Sequence, residues 1–150
     1  MALSSSFNTY DLFCVSQQKL NDSLISIFRD YQIIEYYLKR IYSYMHKGNP
    51  NKNYKNIKDK TLGNVINLLE KLDYSDNSPW LSKGNYSYLK GMAKIRNYYI
   101  HKFFINYLDA EYNNDLNERN NLYKQLIKDK DEIEKMRENI VELYKQVSSN

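Results

Sequence analysis

Apolar side chains recur at steps of four and three residues along the first part of the chain, which predicts one long helix from about Thr9 to Met45. Gln17 is the only polar member of this seam. The seam consists of Phe13, Gln17, Leu20, Leu24, Ile27, Tyr31, Ile34, Leu38, Ile41 and Met45. A repeat of about 3.5 residues is typical of a helix that packs against other helices along one face. Gly48 and Pro50 end the predicted helix.

A second seam with the same steps predicts a last helix from about Asp115 to Val147. Asp129 is its only polar member. The seam consists of Leu122, Leu126, Asp129, Ile133, Met136, Ile140, Leu143 and Val147. The remaining surface of this helix alternates Lys and Glu, which is typical of a solvated face with pairs four residues apart.

Two further helices are predicted between these long ones. Thr61 can cap a short helix that runs to Leu72, and another helix is expected over residues 85–110. The Asn- and Lys-rich segment 46–60 predicts a flexible, solvated loop. In the loop 73–84, the segment Pro79-Trp80-Leu81 is expected to pack onto the core, with Trp80 as the anchor. We therefore predict one all-α domain over 1–150, an up-and-down bundle of four to five helices with long first and last helices.

Composition narrows the class of protein. No apolar run approaches the roughly 18 residues that span a bilayer, and the N-terminus lacks the pattern of a signal peptide. Cys14 is the only cysteine, so we expect a cytoplasmic protein with no membrane partner. The formal net charge of +4 permits an anionic partner. The richness in Lys, Asn, Ile and Tyr could equally reflect an AT-rich genome.

The third predicted helix carries an arginine where its pattern requires an apolar residue. At about 100° per residue, Arg96 lies in the middle of an apolar stripe. The stripe consists of Leu89, Met92, Ile95, Tyr99, Ile100, Phe103 and Tyr107. Because an unpaired guanidinium inside a bundle costs several kcal/mol, Arg96 either meets a carboxylate or faces a groove or a second subunit. Asp30, Glu35 and Glu70 are the candidate carboxylates.

The neighbouring edge of the same helix carries Lys90, Lys94, Asn97 and His101. Arginine and lysine stabilise phosphate charge, and histidine can transfer a proton near neutral pH. This set therefore suits a phosphodiester and requires no metal or other cofactor. The residues could also be structural, because a lone histidine or a buried arginine usually serves the fold.

The segment Arg96-Asn97-Tyr98-Tyr99-Ile100-His101 resembles the Arg-Asn-x-x-x-His motif of the HEPN superfamily of ribonucleases and nucleotide-binding proteins. The order of the predicted helices, with Thr61-Leu62-Gly63 opening the second, is similar to that superfamily as well. The resemblance implies a homodimer in which two motif helices face each other across a cleft, and RNA cleavage without metal.

By the same resemblance, Arg96 would hold the scissile phosphate and stabilise its transition-state charge. His101 would activate the ribose 2′-OH or protonate the leaving oxygen, and Asn97 would orient His101 or contact phosphate. The implied products are a 2′,3′-cyclic phosphate and a 5′-hydroxyl. Many HEPN toxins with a nucleotidyltransferase antitoxin have a tyrosine two residues after the histidine, and this tyrosine is the target of modification. This chain has Phe103 at that position. Because Phe103 has no hydroxyl, the resemblance does not extend to that mode of neutralisation.

Charged residues of the first helix often line the cleft in that superfamily, and here they would be Glu35, Lys39 and Arg40. Glu35 and Lys39 could equally form a simple pair four residues apart.

Three functions remain open from the sequence. The first is an endoribonuclease that acts as a toxin or in antiviral defence. The second is a non-catalytic HEPN-like domain that binds RNA or a nucleotide, or partners an antitoxin or defence protein. The third is a scaffolding bundle in which Arg96 and His101 are structural.

Overall fold

The computed structural model describes the backbone of residues 2–150 and the side chains of residues 17–150. All regular structure in that part of the chain is helical, which confirms the predicted all-α class with long first and last helices. The helices are α1 (Ala2–Met45), α2 (Pro50–Ile57), α3 (Leu62–Asp73), α4 (Lys83–His101), α5 (Phe103–Tyr112) and α6 (Leu116–Ser148). The predicted positions of Phe13 and Cys14 lie outside the described side chains.

The seam of α1 lies at the centre of the hydrophobic core. Its members from Leu20 to Ile41 are almost completely buried. Helix α1 contacts α2, α3, α4 and α6, and its longest interface is with the seam of α6. Since burying one Leu or Ile side chain contributes about 1.5–3 kcal/mol, this seam is the main apolar contribution to folding. None of the described helices combines the length and apolarity that a membrane span requires.

The prediction of a flexible loop over 46–60 is wrong for its central part, which forms α2. The side chain of Asn49 caps this helix by accepting a hydrogen bond from the backbone N–H of Lys52, at 3.1 Å. Pro50 occupies the first turn, where its missing N–H leaves no unsatisfied donor. Ile57 is buried against the rest of the protein. The pattern concealed α2 because it has one buried apolar side chain and no apolar stripe; polar contacts hold it as well, since the Asn53 amide donates to the backbone carbonyls of Ser43 and His46.

The predicted third helix is in fact two helices, and residues 2–150 contain six helices, not four to five. The break lies at Lys102, whose φ of −127° departs from helical geometry. After the break, α5 packs against α6. The helical wheel is also wrong for Ile100, which lies before the break and which it placed in the buried stripe, because the stripe opens there into a surface groove beside Arg96. Ile100 is 46% exposed.

One buried carboxylate, Asp73, joins the end of α3 to the loop that follows it and to α4. Asp73, at the end of α3, accepts hydrogen bonds from the backbone N–H groups of Trp80 and Leu81, at 2.8 and 3.0 Å, and from the hydroxyl of Tyr86, at 2.8 Å. The loop between α3 and α4 is thus anchored through its backbone. The expectation that the Trp80 indole anchors it is wrong, because this ring is exposed.

The one polar member of the α6 seam also has partners in the core. Asp129 is buried and accepts hydrogen bonds from the hydroxyl of Tyr99 and from Gln125, at 2.9 Å. The Tyr31 hydroxyl donates to the backbone carbonyl of Met92 at 2.8 Å, which joins α1 to α4. Burial raises the pKa of Tyr31, Tyr86 and Tyr99.

We expect these three tyrosines to make the fold sensitive to alkali. Their pKa values are raised in the folded state, so the folded protein keeps protons that the unfolded chain loses above about pH 10. Their contribution to the urea midpoint should be constant below about pH 10, and the midpoint should fall above it. Tyr99→Phe should lower stability at neutral pH by about 1–2 kcal/mol, because Asp129 loses a donor, and should flatten the alkaline decline. A midpoint that stays constant well above pH 10 would contradict this.

Candidate active site

Arg96 lies at the junction of two surface grooves. One groove, of about 340 Å³, is lined by Phe28, Tyr31, Gln32, Arg96 and Ile100. The other, of about 500 Å³, lies between the start of α3 and the middle of α4, and its polar lining includes Thr61, Asn67, Lys90, Lys94, Arg96 and Asn97. The side chain of Arg96 is 31% exposed. Its guanidinium is therefore accessible, although the wheel placed it among buried residues.

Glu35 of α1 is the carboxylate that Arg96 meets. The Nη2 atom of Arg96 is 3.8 Å from Oε2 of Glu35. The other two candidate carboxylates are paired elsewhere: Asp30 with Arg137 of α6, at 2.9 Å, and Glu70 with Lys90. The distance of 3.8 Å is too long for a direct hydrogen bond. Glu35 thus restrains Arg96 without saturating its donors.

Lys39 holds the Glu35 carboxylate from the other side. Its ammonium donates to Oε1 of Glu35 at 2.8 Å and to the backbone carbonyl of Lys58 at 2.6 Å. Lys39 is only 6% exposed, so it lies beneath the groove. Lys39 and Glu35 therefore form the ion pair four residues apart that was one of the two alternatives from the sequence. Lys39 positions the Glu35 carboxylate from within the fold.

Two lysines of α4, Lys90 and Lys94, differ in whether a carboxylate neutralises their charge. Lys90 hydrogen-bonds to Glu70 and thereby lowers the pKa of that carboxyl. Lys94 is exposed and forms no ion pair with any residue whose side chain the structure describes. Together with Asn97, Lys94 and Arg96 line one side of the larger groove. Two cations and an amide side chain in one groove can bind a phosphate through charge and hydrogen bonds.

His101 is the last residue of α4 and is exposed. It follows Asn97 by four residues, about 6 Å along the helix axis and on nearly the same edge. Neither groove that Arg96 lines includes His101. Within one copy of the chain, the phosphate-binding groups and the imidazole are therefore neighbours on one helix edge without sharing a pocket.

Arg40 is not brought to this site. Its guanidinium lies 3.8 Å from the ring centroid of Tyr54 and donates to Asn51, at 3.3 Å. Phe103 is buried in the core, so its position does not present an exposed side chain for modification.

Residues of α1 and α3 that the sequence did not single out also line the grooves. Phe28 and Gln32 precede Glu35 by about two turns and about one turn of α1, respectively. Gly63 lies at the start of α3, and a Cβ atom there would meet nothing within 4 Å. The Thr61-Leu62-Gly63 segment was visible in the sequence, but its approach to α4 depends on tertiary packing.

We expect Arg96 and Arg137 to respond differently to truncation, although each pairs with a carboxylate of α1. Arg137→Ala should cost about 3 kcal/mol, because it leaves the buried Asp30 without its main partner. Arg96→Ala should cost about 1 kcal/mol or less, because the Glu35 pair is long and partly solvated. Chemical denaturation of both variants measures the difference. Equal losses would assign Arg96 a structural role.

No group of three His, Cys, Asp or Glu side chains within the described residues is arranged to hold a metal ion. Comparison of the chain with protein-family models, curated proteins and solved structures finds no match. The function is therefore inferred from the placement of Arg96, Asn97 and His101 and of the residues around them.

Proposed function

We propose that this chain is a HEPN-type endoribonuclease that cleaves RNA by attack of a ribose 2′-OH, without a metal, and acts as a toxin or antiviral-defence effector. The proposal includes the up-and-down bundle of that superfamily. The observation that carries it is the accessible guanidinium of Arg96 in a basic groove, on the helix that ends at His101. The motif-like spacing supports Arg96, Asn97 and His101, and the groove supports Arg96 and Asn97 independently.

The chemistry follows from the groups in and beside the groove. Arg96 and Lys94 would bind the scissile phosphate, and Asn97 would contact it or orient His101. An imidazole would accept the proton of the 2′-OH as its oxygen bonds to phosphorus, and an imidazolium would protonate the 5′-oxygen as its bond to phosphorus breaks. Arg96 would stabilise the charge that develops on the phosphoryl oxygens. The products are a 2′,3′-cyclic phosphate and a 5′-hydroxyl.

A second copy of the chain would supply the second imidazole. Exposed apolar side chains surround the end of α4 and continue onto α5: Ile100, Phe104, Ile105 and Leu108. Leu108 follows Phe104 by four residues and Ile105 by three, so it lies beside both of them on one face of α5. Such contiguous apolar surface is typical of a protein interface. A dimer through this face would place the two His101 side chains near one cleft.

A non-catalytic function is the second candidate, and one observation favours it. His101 lies outside both grooves that Arg96 lines. A HEPN-like domain of this kind would bind RNA or a nucleotide, or serve as the helical partner in a defence or toxin–antitoxin complex. The two candidates differ in whether phosphodiester bonds are broken.

We expect the purified protein to cleave single-stranded RNA in the presence of EDTA. His101→Ala and Arg96→Ala should each reduce the rate by at least about 100-fold, the usual contribution of a general acid–base group or a charge-stabilising donor. His46→Ala is the matched control, since His46 is the other histidine and is also exposed. Full activity in His101→Ala would refute the assignment. Binding without cleavage by the wild type would favour the non-catalytic candidate.

We expect the apolar face of α5 to mediate dimerisation. Ile105 is 61% exposed, so Ile105→Glu should leave the monomer folded, but should shift the protein from dimer to monomer and abolish cleavage. Trp80→Glu places the same charge on another exposed apolar residue and should change neither property. Light scattering and the cleavage assay measure both. An active monomer would contradict the shared cleft.

A further inference from the structure

The positive charge of the chain is concentrated in one segment. Residues 46–60 contain five lysines and one aspartate, a net charge of +4, which equals the formal net charge of the whole chain. The remainder of the chain therefore has equal numbers of basic and acidic residues. The five lysines are exposed, and none of them forms an ion pair with a residue of the described part. The lysines are Lys47, Lys52, Lys55, Lys58 and Lys60.

An aromatic cluster lies beside these lysines, where α2 packs on α1. The guanidinium of Arg40 lies 3.8 Å from the ring centroid of Tyr54 and 5.2 Å from that of Tyr36. Arg40 also donates to the Tyr36 hydroxyl, at 3.1 Å. Tyr36 is 42% exposed. We call Tyr36, Arg40 and Tyr54 the platform, because their planar groups are held in place before any ligand arrives.

The platform is connected to the Arg96 groove along one face of α1. Gln32, Tyr36 and Arg40 are each separated by four residues, so they lie above one another on the helix. Gln32 lines the smaller of the two grooves that contain Arg96. From Gln32 to Arg40 the helix rises about 12 Å. One extended strand could therefore contact both the Arg96 groove and the platform.

We propose that the platform and the lysines of α2 bind single-stranded RNA beside the scissile phosphate. The Tyr36 ring and the Arg40 guanidinium present planar surfaces on which bases stack, and Lys52 and Lys55 neutralise phosphates. Stacking planes combined with a basic track are the features by which proteins bind single strands without sequence preference. This inference rests on the proposed function for the identity of the strand, and it adds a binding site outside the cleavage residues.

Binding of a labelled single-stranded RNA of about 12 nucleotides tests the inference. The full chain with His101→Ala serves as the background, so that cleavage does not interfere. Tyr36→Ala should weaken binding by about 5- to 150-fold, which corresponds to about 1–3 kcal/mol for one stacked base. Tyr36→Phe keeps the ring and should retain most of the affinity. Melting curves confirm that each variant is folded.

A pair of charge variants tests the lysines separately. Lys52→Gln with Lys55→Gln should lower the slope of log affinity against log salt by about 1.4, because each lost phosphate contact contributes about 0.7 on single strands. Lys124→Gln with Lys128→Gln removes the same charge from exposed positions on α6. This matched control should leave the affinity and the slope nearly unchanged.

The outcomes separate this inference from the proposed function. Cleavage by the wild type, together with unchanged affinity in the folded Tyr36→Ala and lysine variants, would overturn the inference alone. Equal losses in the α6 control would also overturn it, since the effect would then be one of net charge. A platform-dependent affinity in a protein that never cleaves RNA would support the inference and refute the nuclease.

Discussion

Two carboxylates of α1, Asp30 and Glu35, each face an arginine of another helix, and the structure depends on how differently those pairs are made. Asp30 is buried and receives Arg137 of α6 at 2.9 Å, which fixes the interface between the two longest helices. Glu35 is held by Lys39 at 2.8 Å and faces Arg96 of α4 at 3.8 Å. A buried charge needs a close partner, whereas a partly solvated one does not. The first pair therefore belongs to the core, and the second leaves an arginine available for a ligand.

The accessibility of Arg96 explains why its position on the apolar stripe does not destabilise the bundle. The stripe opens on both sides of Arg96, into one groove toward α1 and another toward α3. Lys39 contributes from beneath, because its bond to the Lys58 carbonyl fixes the carboxylate that restrains Arg96. A guanidinium restrained on one side and exposed on the other is pre-organised for an anion, and binding then requires little rearrangement.

Periodicity predicted the elements in which apolar side chains carry the packing. The seams of α1 and α6 agree with the structure, as does the Thr61 cap. It did not predict α2, which has a single buried apolar residue, Ile57, and otherwise depends on the Asn49 cap and on polar contacts such as those of the Asn53 amide. It also missed the break at Lys102, because no glycine or proline marks it. That break matters for the site, since it ends α4 at His101.

For a charged residue, the sequence could limit the possible partners to a few candidates, but it could not identify the actual partner. Asp30, Glu35 and Glu70 were equivalent candidates for Arg96, and tertiary packing selected Glu35. Arg40 was grouped with Glu35 because both lie on α1, but the two side chains point to different surfaces, and Arg40 stacks on Tyr54. The site that results spans α1, α3 and α4.

An experimental structure of the purified oligomer tests this account most directly. The account predicts a dimer in which the two His101 side chains lie across a solvent-open cleft, close enough to reach one phosphodiester, with Arg96 of each copy facing the same cleft. A monomer, or an oligomer that buries Arg96 or holds the two His101 residues on opposite surfaces, would contradict it.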